Sequence, residues 1–266
     1  PGGAMLPLYD AIHNFEGIQH ILARHEQGAT HEAEGYAKSS GKVGVVVVTS
    51  GPGATNAVTG IADAYLDSVP LLVFTGQVGR QSIGKDAFQE ADTVGITAPI
   101  TKYNYQIRET ADIPRIVTEA YYLARTGRPG PVEIDLPKDV STLDVTQIND
   151  PSLNLPHYHE SEKATDEQLQ ELLTELSVSK KPVIIAGGGI NYSGSVDIFR
   201  AFVEKYQIPV VSTLLGLGTL PISYELQLGM AGMHGSYAAN MALVEADYII
   251  NLGSRFDDRV VSNPAK

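Results

Sequence analysis

The stretch Val43-Gly44-Val45-Val46-Val47-Val48-Thr49-Ser50-Gly51-Pro52-Gly53-Ala54-Thr55-Asn56 decides the fold. Its β-branched run does not alternate with polar residues, as expected of a strand buried on both faces of a parallel sheet. The turn Ser50-Gly51-Pro52-Gly53 then feeds an Ala-rich helix, Ala54 to Leu66, and an apolar strand follows at Leu71 to Thr75. Strand, helix and strand in that order make a right-handed crossover unit.

Working outward, Ala4 to Phe15 has helical spacing through Leu6, Tyr9, Ile12 and His13, with Pro7 tolerated near the first turn. Ile18 to Ala23 reads as a short apolar strand, and Gln27 to Ser40 as a helix closed by Gly41. A helix at Ile113 to Arg125 and a strand at Pro131 to Asp135 complete a doubly wound α/β domain over residues 1–140. Between 141 and 165 the texture turns polar and aperiodic, with Asn149, Pro151, Asn154 and Pro156, as in a linker. His157 and His159 read there as solvated residues rather than metal ligands. A second α/β unit occupies 166–266. Its helices are expected at Asp166 to Leu176, Ser195 to Tyr206 and Ala238 to Glu245, its strands at Lys181 to Ala186, Pro209 to Thr213 and Tyr248 to Leu252. The fold class is therefore α/β with two parallel-sheet domains, the second cut short.

The 266 residues carry 31 acidic against 19 basic side chains, a net charge of −12, and no Cys. That balance argues against nucleic acid or an anionic membrane as partner. The absence of Cys excludes a disulfide framework, a thiolate metal site and a cysteine nucleophile. No apolar run approaches the ~20 residues of a membrane span, and no secretory leader is visible, so a cytoplasmic setting is expected, with an organelle address left open. The chain opens at Pro1-Gly2-Gly3 and closes at Asn263-Pro264-Ala265-Lys266, as a trimmed sequence would.

Four glycine-bearing strand ends stand out: Ser50–Gly53, Gly187–Gly189, Leu215–Gly218 and Gly229–Gly235. In open α/β sheets ligands bind beyond the carboxyl ends of strands, where glycine lets a ligand approach the backbone. None of these completes a G-x-G-x-x-G fingerprint, since the sixth position from Gly187 is Tyr192, and no Walker A motif occurs. Glu26 falls where a strand passes into a helix, so its carboxylate is either a helix-terminal charge or a general acid/base. The string Gly253-Ser254-Arg255-Phe256-Asp257-Asp258-Arg259 is either a solvated ion-pair cluster or an anion clamp. Asp86, Phe88, Gln89 and Glu90 form a further polar-aromatic group after a strand.

Taken together, Pro1–Ala4, Arg24–Ala29, Val48–Asn56, Asp86–Asp92, Gly127–Asp139, Gly187–Gly189, Gly229–Gly235 and Gly253–Arg259 resemble the large catalytic subunits of the acetolactate synthase (acetohydroxyacid synthase) family. These are thiamine-diphosphate enzymes that also carry FAD. The resemblance implies that residues 1–140 form the pyrimidine-side domain and 166–266 a truncated central FAD-binding domain. It places Glu26 against N1′ of the cofactor's aminopyrimidine, where it favours the tautomer that takes the C2 proton. It also gives Gln89 a catalytic position. Gly3, Ala4, Phe88 and Lys138 match residues lining the substrate pocket, and Met233 and Arg259 match residues beside the acceptor 2-ketoacid. For FAD it implies contacts from Arg128, Gly187, Gly188, Gly189, Thr213, Leu214, Gly232, Met233, His234, Gly253, Arg255, Asp257 and Arg259.

The family holds Mg²⁺ through a Gly-Asp-Gly…Asn motif in a third domain, and no Gly-Asp dipeptide occurs here. No metal ligand is assigned, and a fragment inactive by itself is expected. The parent enzyme implied is a homodimer or higher oligomer, with a small regulatory subunit, condensing pyruvate with pyruvate or 2-oxobutyrate for branched-chain amino-acid synthesis. Another thiamine-diphosphate decarboxylase or carboligase, or a non-catalytic FAD-binding or assembly module, are the alternatives.

Overall fold

The computed structural model describes residues 1–160 and 163–260. Ser161, Glu162 and the closing 261–266, which include parts of the expected linker and the whole Asn263–Lys266 ending, lie outside the described residues. Contacts divide the chain into two units, Pro1–Ser161 and Glu162–Lys266.

The first unit runs α1 (Leu6–His13), α2 (Glu26–Ser40), β1 (Gly44–Val48), α3 (Pro52–Asp67), β2 (Leu71–Gln77), α4 (Thr93–Thr97), β3 (Tyr103–Gln106), α5 (Ile113–Arg125) and β4 (Pro131–Pro137). Its sheet has the order β1-β2-β4-β3, every pair parallel. Alternation along the strands points Leu72, Val132 and Ile134 at one face, where Met5, Ile116, Ala120 and Leu123 complete a core. Burying Ile116 and Leu123 stabilises the α5 face by roughly 2 kcal/mol each. Val46, Val48 and Val73 point the other way, onto Ala54, Ala57 and Ile61 of α3. Helices cover both faces of the sheet, but β1 is its edge strand. Gly44, Val46 and Val48 are buried while Val45 is 55% exposed, so the valine run is fully buried on one face and not on both as its lack of alternation suggests.

α2 begins at His25, whose ring Nδ1 accepts from Gln27 N at 3.1 Å, and ends at Gly41 with φ +70°. It packs on α3 through small residues. A methyl group at Gly60 would stand 2.6 Å from Thr30 Cβ, so the two helices are close-fitted at that point.

The second unit runs α6 (Asp166–Val178), β5 (Pro182–Ala186), α7 (Gly189–Tyr192), α8 (Val196–Tyr206), β6 (Val210–Ser212), β7 (Gln227–Met230), α9 (Tyr237–Glu245) and β8 (Tyr248–Leu252). Its sheet is again parallel, in the order β7-β6-β5-β8. Ile184, Phe199, Val203 and Val210 fill one face, and Val183, Ile185, Val211 and Ala239 the other. Both units are thus α/β with parallel strands, as expected from the strand–helix alternation.

Three further findings depart from the sequence reading. Ile18 to Ala23 is not a strand: it finds no ladder partner among the described residues, and Ile21 and Leu22 are exposed. Conversely, β3 and β7 are strands that apolar patterning does not announce. Within the expected linker, Leu155 and Tyr158 pack against the first core, and the Tyr158 hydroxyl lies 2.9 Å from Lys102 Nζ. No helix among the described residues is long and apolar enough to cross a membrane.

Candidate functional site

In the first unit the carboxyl ends of β1 and β2 converge on Glu26, the first residue of α2. Glu26 is half-buried, and its Oε2 accepts from Asn56 Nδ2 at 3.1 Å. The floor beside it is glycine backbone and the Thr49 methyl: a Cβ at Gly53 would stand 3.6 Å from Glu26 Oε1 and 2.8 Å from Thr49 Cγ2. The turn that carries Gly53 is possible only with glycine at position 51. There φ is +59°, and a Cβ would press within 2.6 Å of Gln89 O. That same approach brings the backbone of Gln89, itself at φ +57°, to the rim. Ala4 joins it through Gly76, where an added methyl would stand 2.9 Å from Ala4 Cβ. Tyr9 donates to Val47 O at 3.0 Å, and its hydroxyl pKa is raised by burial and by the Glu26 charge.

The loop between β2 and α4 is closed by Glu90, which accepts from the amides of Gly84 and Ala87. Those bonds hold its carboxyl below the usual range. Phe88 projects from this loop, 88% exposed, and Lys138 stands exposed at the end of β4, with its amide on Gln77 O at 3.1 Å. Gly3 is open, with nothing within 4 Å of the position a Cβ would take. Behind the rim lie two fully buried carboxyls on β4. Burial, then the Asp135 charge, pushes Glu133 up to about 8, and burial also raises Asp135.

The second unit builds its rim from backbone. Gly187 and Gly189 donate to Leu252 O and Gly253 O at 2.8 and 3.0 Å. The strand ends cross so closely that a Cβ at Gly189 would stand 2.7 Å from Gly253 Cα, and one at Gly187 would collide with Gly253 O. Thr213 N reaches Ala186 O at 2.9 Å, and its hydroxyl caps the turn carrying the exposed Leu214. Asn240 grips Gly232 on both sides, accepting from its amide (2.8 Å) and donating to its carbonyl (2.9 Å). Met233 N bonds Arg259 O at 2.9 Å, and Arg259 Nη1 lies 3.8 Å from Met233 Sδ. His234 is exposed on the same loop. Within the charged string Arg255 meets Asp257 at 3.4 Å and Arg259 meets Asp258 at 3.9 Å.

The structure therefore brings Glu26, Ala4 and Gln89 to one rim, and Gly187–Gly189, Thr213, Leu214, Gly232–His234 and Gly253–Arg259 to another. It does not bring Arg128 to Glu26. Arg128 precedes β4, at the opposite end of the sheet, where Nε donates to Ser68 Oγ at 2.8 Å beside a hollow of about 270 Å³. Sequence reasoning missed Asn56 as the partner of Glu26. The signal was an isolated amide one helical turn into an alanine-rich helix.

Of the three groups implied by the sequence, the residues fit one. A half-buried acceptor over a glycine floor suits the edge of a flat nitrogen heterocycle, as in a thiamine pyrimidine. The Gly187–Gly189/Gly253 crossing is packed by its own backbone, with the Gly187 and Gly189 amides engaged, and offers no opening shaped for a dinucleotide. Mg²⁺ does not fit. Among the described residues, only His31, Glu34 and Asp63 gather metal-capable atoms, and Lys38 Nζ sits 2.7 Å from Glu34 in that cluster.

Comparison with known proteins follows the same division. Residues 1–96 match the family model "Thiamine pyrophosphate enzyme, N-terminal TPP binding domain", and residues 169–266 match "Thiamine pyrophosphate enzyme, central domain". The chain is 98% identical over 266 residues to the acetolactate synthase large subunit of Lactococcus lactis subsp. lactis (strain IL1403), covering 100% of this chain and 46% of that protein. It is 50% identical over 263 residues to the acetolactate synthase large subunit of Corynebacterium glutamicum, covering 99% and 42%. It is 48% identical over 268 residues to the acetolactate synthase isozyme 3 large subunit of Escherichia coli (strain K12), covering 100% and 47%. The chain thus spans about half the length of the curated relatives it matches.

Proposed function

Because the chain belongs to the thiamine pyrophosphate enzyme family, with its N-terminal and central domains both present, we propose that it works as part of an acetolactate synthase large subunit. Thiamine diphosphate, when bound, supplies the electron sink for decarboxylation of a 2-ketoacid. The chain's own contribution is to hold and orient. Glu26 would meet the aminopyrimidine N1′ with its inward oxygen, giving a proton to that nitrogen and taking it back, while Asn56 Nδ2 holds Oε2. Gly51 and Gly53 keep the floor low enough for the ring, and Gln89 stands at the rim. Gly3, Ala4, Phe88 and Lys138 border the entrance for pyruvate.

In the second unit, Gly187, Gly188, Gly189, Thr213, Leu214, Gly232, Met233, His234, Gly253, Arg255, Asp257 and Arg259 form the FAD side of this reading. Arg259 would pair with the carboxylate of the acceptor ketoacid, beside Met233. A Mg²⁺ ion held by residues outside this segment, a second copy of the chain, a small regulatory subunit and a cytoplasmic setting belong to the same reading. The observation that carries it is the Glu26–Asn56 pair over a glycine floor at the carboxyl ends of β1 and β2.

The test is Glu26→Gln in a full-length large subunit carrying this segment. Loss of acetolactate formation on the order of 10²–10⁴-fold is expected, with flavin absorbance retained. Unchanged turnover would remove Glu26 from the chemistry and leave an assembly role.

A further inference from the structure

Strand β4 places two acidic residues, Glu133 and Asp135, on the same face of the sheet, one pleat apart. Both are fully buried, as is Thr75 beside them. A carboxylate in such a place needs donors, and here they can be counted. Glu133 has Thr75 Oγ1 at 2.5 Å on one oxygen and Asn104 Nδ2 at 3.2 Å on the other. Asp135 has Thr75 Oγ1 at 3.2 Å on Oδ1, and Gln77 Nε2 at 3.3 Å and Gln106 Nε2 at 3.0 Å on Oδ2. The Thr75 hydroxyl thus stands between the two acids, yet it owns a single proton and can donate to only one of them.

The surroundings add no counter-charge. From β2 come Thr75 and Gln77, and from β3 come Asn104 and Gln106. From α4 come Thr97, which bonds Asn104, and the capping Asp92, whose negative charge raises both acids further. α3 turns the apolar Ala54, Ala57 and Ile61 to this face. The ion pair of Arg115 with Glu119 meets Tyr105, which pairs with Ile134 and so lies on the opposite face of the sheet. Two ionised carboxylates sharing one hydroxyl proton without a cation would leave one anionic oxygen facing another.

We propose that Glu133 and Asp135 hold one extra proton between them, resident on Glu133, and that this proton ties the stability of the first unit to pH. With Glu133 as the acid, every group is satisfied. Its O–H donates to Thr75 Oγ1, Thr75 donates to Asp135 Oδ1, and the two glutamine amides complete the Asp135 carboxylate. The assignment to Glu133 follows from the donors, since Asp135 has two amides to stabilise its charge and Glu133 has one. The proton comes from solvent and returns to it, Glu–COO⁻ plus H⁺ giving Glu–COOH, with no other reactant.

The pair is also wired to the rim. Gln77, which bonds Asp135, donates to Ala91 O at 2.8 Å and accepts from Val78 N at 2.9 Å. Those two residues bound the loop that presents Phe88 and Gln89. Losing the Glu133 proton therefore places repulsion at the anchor of that loop. This inference does not depend on the proposed activity.

The sign is fixed by linkage. A carboxyl raised in the folded state is protonated there but ionised in the unfolded chain. Its contribution is complete below the ordinary glutamate value and lost as pH rises towards the folded value near 8. The experiment is denaturant unfolding of the full chain across pH 5–8, beside infrared spectroscopy in the carboxylic-acid carbonyl region. The unmodified chain is expected to show an acid carbonyl band at pH 7. Its unfolding constant should rise by up to about tenfold per pH unit relative to Glu133→Gln. In Glu133→Gln an amide N–H replaces the acid O–H on Thr75, so the band should be absent and stability at pH 8 higher than in the parent. Equal pH slopes in the two proteins, or no acid band in the unmodified chain, would overturn the proposal. The infrared measurement decides it without the variant, should Glu133→Gln fail to fold.

Discussion

The two units present the same kind of edge, the carboxyl ends of a parallel sheet, and equip it in opposite ways. The first arms its edge with side chains: Glu26 held by Asn56, Tyr9 nearby, and two buried acids behind. The second strips its edge of side chains at the crossing, leaving glycine against glycine, and keeps its charged groups on an exposed rim where they pair among themselves. The contrast separates two tasks. Moving a proton requires a titratable group aimed and partly desolvated, whereas bringing two strand ends into backbone contact requires that neither carry a side chain.

If that contrast is sound, the second edge should be the less tolerant of added bulk. Gly187→Val drives a branched side chain into the backbone of Gly253, where neither strand end can yield, and is expected to cost about 3 kcal/mol in denaturant unfolding. Parental stability in that variant would break the comparison. Asn240→Ala sharpens it, because Asn240 is a side chain on which the second edge does depend. Losing both of its bonds to Gly232 should cost about 2 kcal/mol and expose the Gly232 amide to faster hydrogen exchange. The smallest effect is expected at Gly3→Ala on the first edge. The position is open, so stability should stay within about 0.5 kcal/mol. A larger loss would mean that the clearance required at Gly51 extends to Gly3.

What the sequence revealed follows the same physics. The valine run of β1 and the helical period of α5 are legible because each buries an apolar face against a helix layer or a sheet. β3 is invisible to that reading, since Asn104 and Gln106 turn polar groups inward to serve buried acids that are themselves hidden in a strand recognised only as Pro131 to Asp135. β7 is broken by Gly229 at φ +101° and by an irregular register against β6. Ile18 to Ala23 errs the other way. Its apolar pattern is strand-like, but a strand exists only with a neighbour to bond. At the rim, Glu26 stood out because it interrupts a low-charge transition into a helix. Asn56 did not, because its importance comes from a partner 30 residues away.

The fit of α2 on α3 reaches further than packing. Thr30 lies one turn beyond Glu26, and Gly60 lies one turn beyond Asn56, so the spot where the helices nearly touch is the pivot of a caliper whose jaws are the acid and its amide. The opening of those jaws is gauged by a residue that contributes no side chain to either of them. A shim of one carbon at position 60 would detune the aim of the carboxylate at position 26 while every residue of the rim stayed the same.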